Sequence, residues 1–101
     1  MDAAGHCQWE PELHRLKGIA LFGQNKLDES ERAFEEALRV AQVRQMKAYE
    51  LRAGTSLARL WGEQGRRTEA RELLAPVYDW FTEGFDTADL KDAKAVLDTL
   101  Q

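Results

Sequence analysis

The sequence lacks the features of a membrane-spanning or disulfide-bonded protein. Its 101 residues include one cysteine and two prolines, and its longest uninterrupted apolar run is four residues, from Ile19 to Phe22. A spanning helix needs about 20 apolar residues, and a single cysteine cannot form an internal disulfide. Residues 1–15 also contain no apolar signal core. We therefore expect a cytoplasmic protein that does not enter a membrane.

Chemical motifs are also absent. The stretch GIALFGQN has the glycine spacing of a phosphate loop, but glutamine and asparagine stand where that loop requires lysine and a hydroxyl residue. His6, Cys7 and His14 are too few for structural zinc, which needs four ligands in recognisable pairs. No serine or cysteine has the sequence context of an activated nucleophile. We predict no metal, no cofactor and no catalytic activity.

The charge is acidic overall and unevenly distributed. The net charge of −4 argues against nucleic acid as the main partner. Residues 44–71 hold seven basic and three acidic side chains, whereas residues 79–101 hold six acidic and two basic ones. Either the acidic end folds back beside the basic middle, or both are solvated, or the basic part forms a groove for an acidic peptide.

Helical periodicity runs through almost the whole chain, and no segment shows clear strand alternation. In the first predicted helix the apolar stripe is Leu13, Leu16, Ala20 and Gly23. Asp28 is expected to cap the second helix, with Glu31 completing a capping box. Five helices are predicted: the first covers roughly 10–24, the second begins after Asp28, the third covers roughly 48–64, the fourth starts near Thr68, and the fifth follows a cap at Thr87.

An internal repeat relates the two halves of the chain. GIALFGQNKLDESERAF, from Gly18, aligns with ARLWGEQGRRTEARELL, from Ala58, at a shift of 40 residues. Both copies read as a small residue, a large apolar residue, a turn, a small residue and a large apolar residue. Two antiparallel helices that cross closely need this pattern. The paired positions are Gly18 with Ala58, Leu21 with Trp61, Asn25 with Gly65, Ser30 with Ala70, and Phe34 with Leu74.

Each copy resembles a tetratricopeptide repeat, a helix-turn-helix unit usually about 34 residues long. The resemblance implies an all-α fold in which antiparallel helical hairpins stack as a short right-handed superhelix of about five helices. A single domain over residues 1–101 is predicted. It contains repeat one at 10–46, repeat two at 48–84 and a C-terminal capping helix at 88–101.

A longer resemblance covers nearly the whole chain. ELHRLKG, LRAGTSLARLW and GRRTEARELLAPVYDWFTEGFDTADLKDAKAVL are similar to the C-terminal tail of large bacterial signalling proteins. These are adenylate or guanylate cyclases and winged-helix signalling ATPases, whose tails are tetratricopeptide-like. The resemblance implies a non-catalytic tail that binds other proteins. No residue of the cyclase or ATPase domains is present, so none of that chemistry is implied.

Four aromatic residues follow Pro76 within nine positions. Because proline removes a backbone donor and clashes with the preceding turn, we expect a bend or break there. Tyr78, Phe81 and Phe85 lie at helical spacing and are predicted to fill the resulting gap, with Trp80 half exposed. The other interpretation is a small-ligand pocket. The full predicted core is Gly18, Leu21, Phe34, Ala58, Trp61, Tyr78, Phe81 and Phe85.

With catalysis, metal binding and cofactor binding excluded, the function that remains is binding to another protein. In tetratricopeptide-like arrays the first helix of each pair lines the concave surface, so the resemblance predicts a groove for a protein or a carboxylate-bearing peptide. The alternative is that the arginines on this surface, Arg15, Arg52 and Arg59, are only solvent-exposed residues of their helices. A second possibility is a homodimer formed through the first helix, which has no polar cap. The predicted groove residues are Glu12, Arg15, Ile19, Phe22, Arg52, Thr55 and Arg59.

Overall fold

The structure is a computed structural model, and it describes residues 10–81 and 88–100. Within these residues there are five α-helices and no strand, which confirms the predicted all-α class. Each of the first three helices ends four residues before the next one begins. The helices are α1 (Glu10–Gly23), α2 (Leu27–Val43), α3 (Lys47–Glu63), α4 (Arg67–Trp80) and α5 (Ala88–Thr99).

Three turns of the same kind connect α1 to α4. The second residue after the helix end is left-handed in each turn, with φ of 63° at Asn25, 57° at Gln45 and 81° at Gly65. A left-handed residue lets the chain reverse while satisfying the last helical carbonyls, and glycine adopts it without strain. The turns recur every 20 residues, so two helices make one 40-residue unit.

Backbone hydrogen bonds place the two repeats in the predicted register. The Lys26 amide donates to the Leu21 carbonyl at 2.9 Å in the first turn, and the Arg66 amide donates to the Trp61 carbonyl at 2.8 Å in the third. Each is the six-residue bond of a Schellman motif. Leu21 and Trp61 therefore occupy equivalent positions, as the sequence alignment predicts.

The helices form two layers. α1, α3 and α5 pack side by side in one layer, while α2 and α4 lie in the other. α1 packs with α2, and α3 packs with α4, as two antiparallel hairpins. α2 also packs against α3, and α5 packs against both α3 and α4. α5 thus takes the position of the first helix of a third hairpin.

Gly18 permits the close crossing of α1 and α2. A Cβ atom at Gly18 would lie 2.6 Å from both Cδ1 and Cε1 of Phe34. The Ser30 hydroxyl donates to the Gly18 carbonyl at 2.7 Å across the same crossing. In the second hairpin Ala58 and Leu74 replace glycine and phenylalanine, and both are fully buried in one cluster. The larger Phe34 thus faces the smaller Gly18, and the smaller Leu74 faces the larger Ala58.

Two buried clusters form the core. The first lies between α3, α4 and α5, and the second lies between α2 and α3. Trp61 packs against both clusters and joins them. Its indole nitrogen donates to Glu31 at 3.1 Å, while the Arg66 guanidinium lies 4.5 Å above its ring.

Several local expectations are wrong. Asp28 does not cap α2, because the helix begins one residue earlier, at Leu27, and Lys26 at the N-cap makes no side-chain capping bond. Pro76 does not break α4, which continues to Trp80, while a bend at Pro76 stays a prediction. The expected cap at Thr87 and the predicted core residue Phe85 lie outside the described residues.

The predicted apolar stripe of α1 faces outward. Leu13 is 58% exposed and Leu16 is 51% exposed, whereas Pro11 and Gly18 are the buried residues of this helix. Periodicity identifies a stripe but does not say whether a neighbour covers it. Only the side of α1 that carries Gly18 contacts α2.

Candidate functional site

Three of the predicted groove arginines meet in one cleft on the face formed by α1, α3 and α5. Arg15 comes from α1, and Arg52 and Arg59 come from α3. The cleft measures about 160 Å³, and we call it the charged cleft. Its lining residues are Arg15, Arg52, Thr55, Ser56, Arg59, Asp89 and Asp92.

Carboxylates neutralise two of these arginines. Arg15 forms a two-point hydrogen bond with Glu12, at 3.0 and 2.6 Å. Arg52 donates to Asp89 of α5 at 2.8 Å, and it lies 3.5 Å from Glu12. The acidic end of the chain therefore does fold back beside its basic middle. Arg59 is exposed and makes no ion pair within the described residues.

These pairs shift the ionisation of the groups involved. The Arg15 hydrogen bond, helped by the charge of Arg52, holds the pKa of the Glu12 carboxyl below its usual value, against the opposing effect of burial. The hydrogen bond that Arg52 donates to the Asp89 carboxylate raises the pKa of Arg52. Glu12 and Arg52 both stay charged at neutral pH, so they can orient a polar ligand.

A second, apolar cleft of about 420 Å³ continues from the charged cleft, and Arg59 lines both. It lies between the C-terminal halves of α3 and α5. We call it the apolar cleft. Its lining residues are Ala58, Arg59, Gly62, Glu63, Arg67, Ala95, Val96, Thr99 and Leu100.

Gly62 leaves room for the apolar cleft. A Cβ atom at this position would lie 3.0 Å from Cδ2 of Leu100, on the cleft wall. The equivalent residue in the first repeat is Phe22, which is half-buried and packs against the second core cluster. The second repeat therefore has glycine beside the apolar cleft where the first repeat has a phenylalanine ring.

Comparison with known proteins finds one match, in the first half of the chain. Residues 17–43 match the family model of the tetratricopeptide repeat. The matched segment runs from the second half of α1 through the first turn to the end of α2. No curated protein and no solved structure matches the chain.

The predicted groove residues of this tetratricopeptide-like chain do not all reach the clefts. Thr55 lines the charged cleft but is 6% exposed, and its hydroxyl donates to the Leu51 carbonyl at 2.7 Å. Ile19 is exposed and lines neither cleft. Phe22 also lines neither, because its ring packs inward. The apolar patch expected beside the arginines lies instead between α3 and α5.

The predicted core residues also divide. Phe34 and Ala58 are buried, whereas Trp61, Tyr78 and Phe81 are partly buried against the clusters. Leu21 is half-buried and lines a third cleft, of about 260 Å³, between α1 and α2. Trp80 is 57% exposed and contacts Phe81 edge to face at 5.0 Å between ring centroids.

Sequence reasoning missed the acidic wall of the groove and its apolar end. Asp89 and Asp92 of α5 lie at the charged cleft, although neither is among the predicted groove residues. Their three-residue spacing on one side of α5 was the available signal. Ala95 carries no sequence signal, since small residues in helices are common.

The described residues contain no group of three or more histidine, cysteine, aspartate or glutamate side chains able to hold a metal ion. Among them, too, no helix is both long enough and apolar enough to cross a membrane. What the groove offers is hydrogen-bond donors, fixed charges and an apolar surface. These are the elements of a binding site for a polypeptide.

Proposed function

We propose that this chain is a non-catalytic protein-interaction module, which binds a peptide or an extended segment of a protein along the α1–α3–α5 face. Tetratricopeptide repeats generally act as binding scaffolds of this kind, and residues 17–43 match that family. The charged and apolar clefts together form the groove. The groove follows α5, whose 12 residues make it about 18 Å long, so it accommodates about five extended residues.

The observation that carries this proposal is the position of Arg59 at the junction of the two clefts. Its guanidinium is exposed and has no ion-pair partner within the described residues. A ligand carboxylate gains a charge-assisted hydrogen bond there. Arg15 and Arg52 already have carboxylate partners, so they contribute less to binding an acidic ligand. The preferred ligand therefore has one carboxylate next to an apolar side chain.

The proposal can be tested with a displayed peptide library selected on the full chain. We expect enriched peptides that carry an acidic residue or a free C-terminus beside an apolar residue. Arg59→Ala removes the unpaired cation, and Ala95→Glu places a charge in the apolar cleft. Each should weaken binding by at least tenfold. Arg71→Ala, an exposed arginine on α4 outside both clefts, is the matched control.

Equal binding of the enriched peptides by all three variants would show that the groove is not the site. Failure to enrich any peptide would also count against the proposal. Circular dichroism of each variant distinguishes lost binding from lost folding. Because Arg59 and Ala95 are both exposed, we expect these variants to fold normally.

The finer parts of this proposal rest on the sequence resemblance. We place the module as a tail of, or a relative of, a bacterial signalling ATPase or cyclase, acting in the cytoplasm. The single cysteine is compatible with a reducing compartment. The identity of the parent protein can be checked by sequencing the genomic region that encodes the chain.

Self-association is the second candidate function, and one observation favours it. Leu13, Leu16 and Ile19 are 58%, 51% and 44% exposed on α1, and exposed apolar residues grouped in this way often mark an interface. A small-ligand sensor has no comparable support. None of the three clefts is lined by Tyr78, Trp80 or Phe81.

A further inference from the structure

The exposed apolar side of α1 corresponds to a buried side of α3 and of α5. Leu13, Leu16 and Ala20 form this side, which we call the α1 outer face. At the 40-residue period of the repeats, the same positions are occupied by small or apolar residues, all at most 6% exposed. They are Ala53, Ser56 and Leu60 in α3, Ala93 and Val96 in α5, and Leu100 directly after α5.

In α3 and α5 these positions are covered by the preceding hairpin. Ala53 and Leu60 pack with Phe34, Ala37 and Leu38 of α2 in the second core cluster. In the same way, Ala93, Val96 and Leu100 pack with Leu74 and Val77 of α4 in the first cluster. α3 also contacts α1, and α5 also contacts α3. Each of these helices therefore rests on both helices of the hairpin before it.

The other end of the helical array, formed by α5, carries charged residues on its outward side. Leu51 and Ala58 of α3 are buried in the cluster formed with α4. The corresponding positions in α5 carry Lys91 and Asp98, and Asp98 pairs with Lys94 at 3.3 Å. No helix can bury these charges cheaply. The α1 outer face, at the other end of the array, carries leucines instead of charges, so it differs from a solvated cap.

A second copy of this chain, the occupant in the second candidate function, covers less of the α1 outer face than a helical hairpin does. Head-to-tail packing would set leucines against the charged side of α5. Pairing of α1 with α1 of another copy buries too little, because a 14-residue helix offers a strip of about 21 by 10 Å, or roughly 200 Å². A stable interface buries about 800 Å² on each partner. An occupant that covers both α1 and its flank is needed.

We infer that the α1 outer face binds an antiparallel helical hairpin built like α1–α2, whose second helix packs on Leu13, Leu16 and Ala20 as α2 packs on α3. The partner's second helix carries one large ring and small residues at the spacing of Phe34, Ala37 and Leu38. This surface is separate from the α1–α3–α5 groove, so the inference does not depend on the peptide-binding proposal.

The test is an internal duplication that supplies such a hairpin. In the duplicated chain, residues 1–46 are followed directly by residues 7–101, so that Leu16 of the second copy follows α2 at the same distance along the chain as Ser56 does in the original. Leu16→Ala is then made in the second copy and, separately, in the original chain. The folding constant of each is measured by urea unfolding with circular dichroism.

We expect Leu16→Ala to lower the folding constant by at most about threefold in the original chain, because the side chain is exposed there. In the duplicated chain we expect a loss of at least about 30-fold, as for a buried leucine. Val43→Ala, at a site that is 70% exposed on α2, is the matched control and should cost little in both chains.

Three outcomes overturn the inference. The first is an equal effect of Leu16→Ala in both chains. The second is an original chain that is dimeric by sedimentation equilibrium and becomes monomeric with Leu13→Glu and Leu16→Glu, which assigns the surface to a second copy. The third is failure of the duplicated chain to fold, both as described and with residues 47–51 replacing residues 7–11 at the junction, which restores the α2–α3 connection.

Discussion

Replacing Gly18 by alanine should destabilise the protein, although the same change normally strengthens a helix. Alanine is favoured over glycine in a helix interior by about 1 kcal/mol. At Gly18, however, the new Cβ would lie 2.6 Å from two ring carbons of Phe34, which is 1% exposed and cannot move aside. Overpacking costs about 1–3 kcal/mol. With two such contacts the cost lies near the upper end, which leaves a net loss of about 1–2 kcal/mol.

The measurement is the free energy of unfolding in urea, followed by circular dichroism. Gly54→Ala is the matched control, because a Cβ there would meet Cδ1 of Leu74 at an ordinary 3.7 Å. That variant should gain up to about 1 kcal/mol. If Gly18→Ala is stabilised as well, the proposed close crossing of α1 and α2 is wrong.

A double variant tests whether the two residues act as a pair. Gly18→Ala with Phe34→Leu reproduces the combination of Ala58 and Leu74 in the second hairpin. We expect the two changes together to cost at least about 1 kcal/mol less than the sum of the single changes, since residues in contact couple by about 0.5–3 kcal/mol. Additive effects would mean that the helices do not compensate each other in this way.

Two further predictions concern the turns and the charged cleft. Gln45→Gly should raise the free energy of unfolding by about 1 kcal/mol, and Gly65→Ala should lower it by a similar amount, because both positions have positive φ; opposite shifts of the urea midpoint are the check. The pKa of Glu12 is held low by Arg15, so its contribution is present above the unfolded pKa and is lost as the pH falls through the lower folded pKa. Glu12→Gln should therefore flatten the acid side of a stability–pH curve, and an unchanged curve would contradict the ion pair.

Much of the fold follows from the sequence because helix boundaries and small residues are local signals. Gly65 marks a left-handed turn, and the alignment with Asn25 places the first turn correctly. The turn at Gln45 was not predictable, since glutamine carries no preference for positive φ. Asp28 was a misleading signal, because an acidic residue suits a first helical turn as well as a cap. α4 continues through Pro76, with Leu74 and Val77 buried on either side of it.

The groove was only partly predictable for a different reason. Helical spacing places Arg52 and Arg59 on one side of α3, and the repeat places Arg15 nearby. The ion pair of Arg52 with Asp89 joins residues far apart in the chain, and periodicity within one helix says nothing about the partner helix. The packing of the Phe22 ring against the second core cluster could not be predicted for the same reason, because the residues it contacts come together only in the folded protein.

The position of Trp61 has a consequence for how the chain comes apart. Its indole is shared by both halves of the hydrophobic interior, so neither half can loosen without removing contacts from the other. Linear arrays of helical units often unravel from their ends in separate steps. Because the Trp61 ring contacts both core clusters, we expect the two hairpins to unfold together in one cooperative transition.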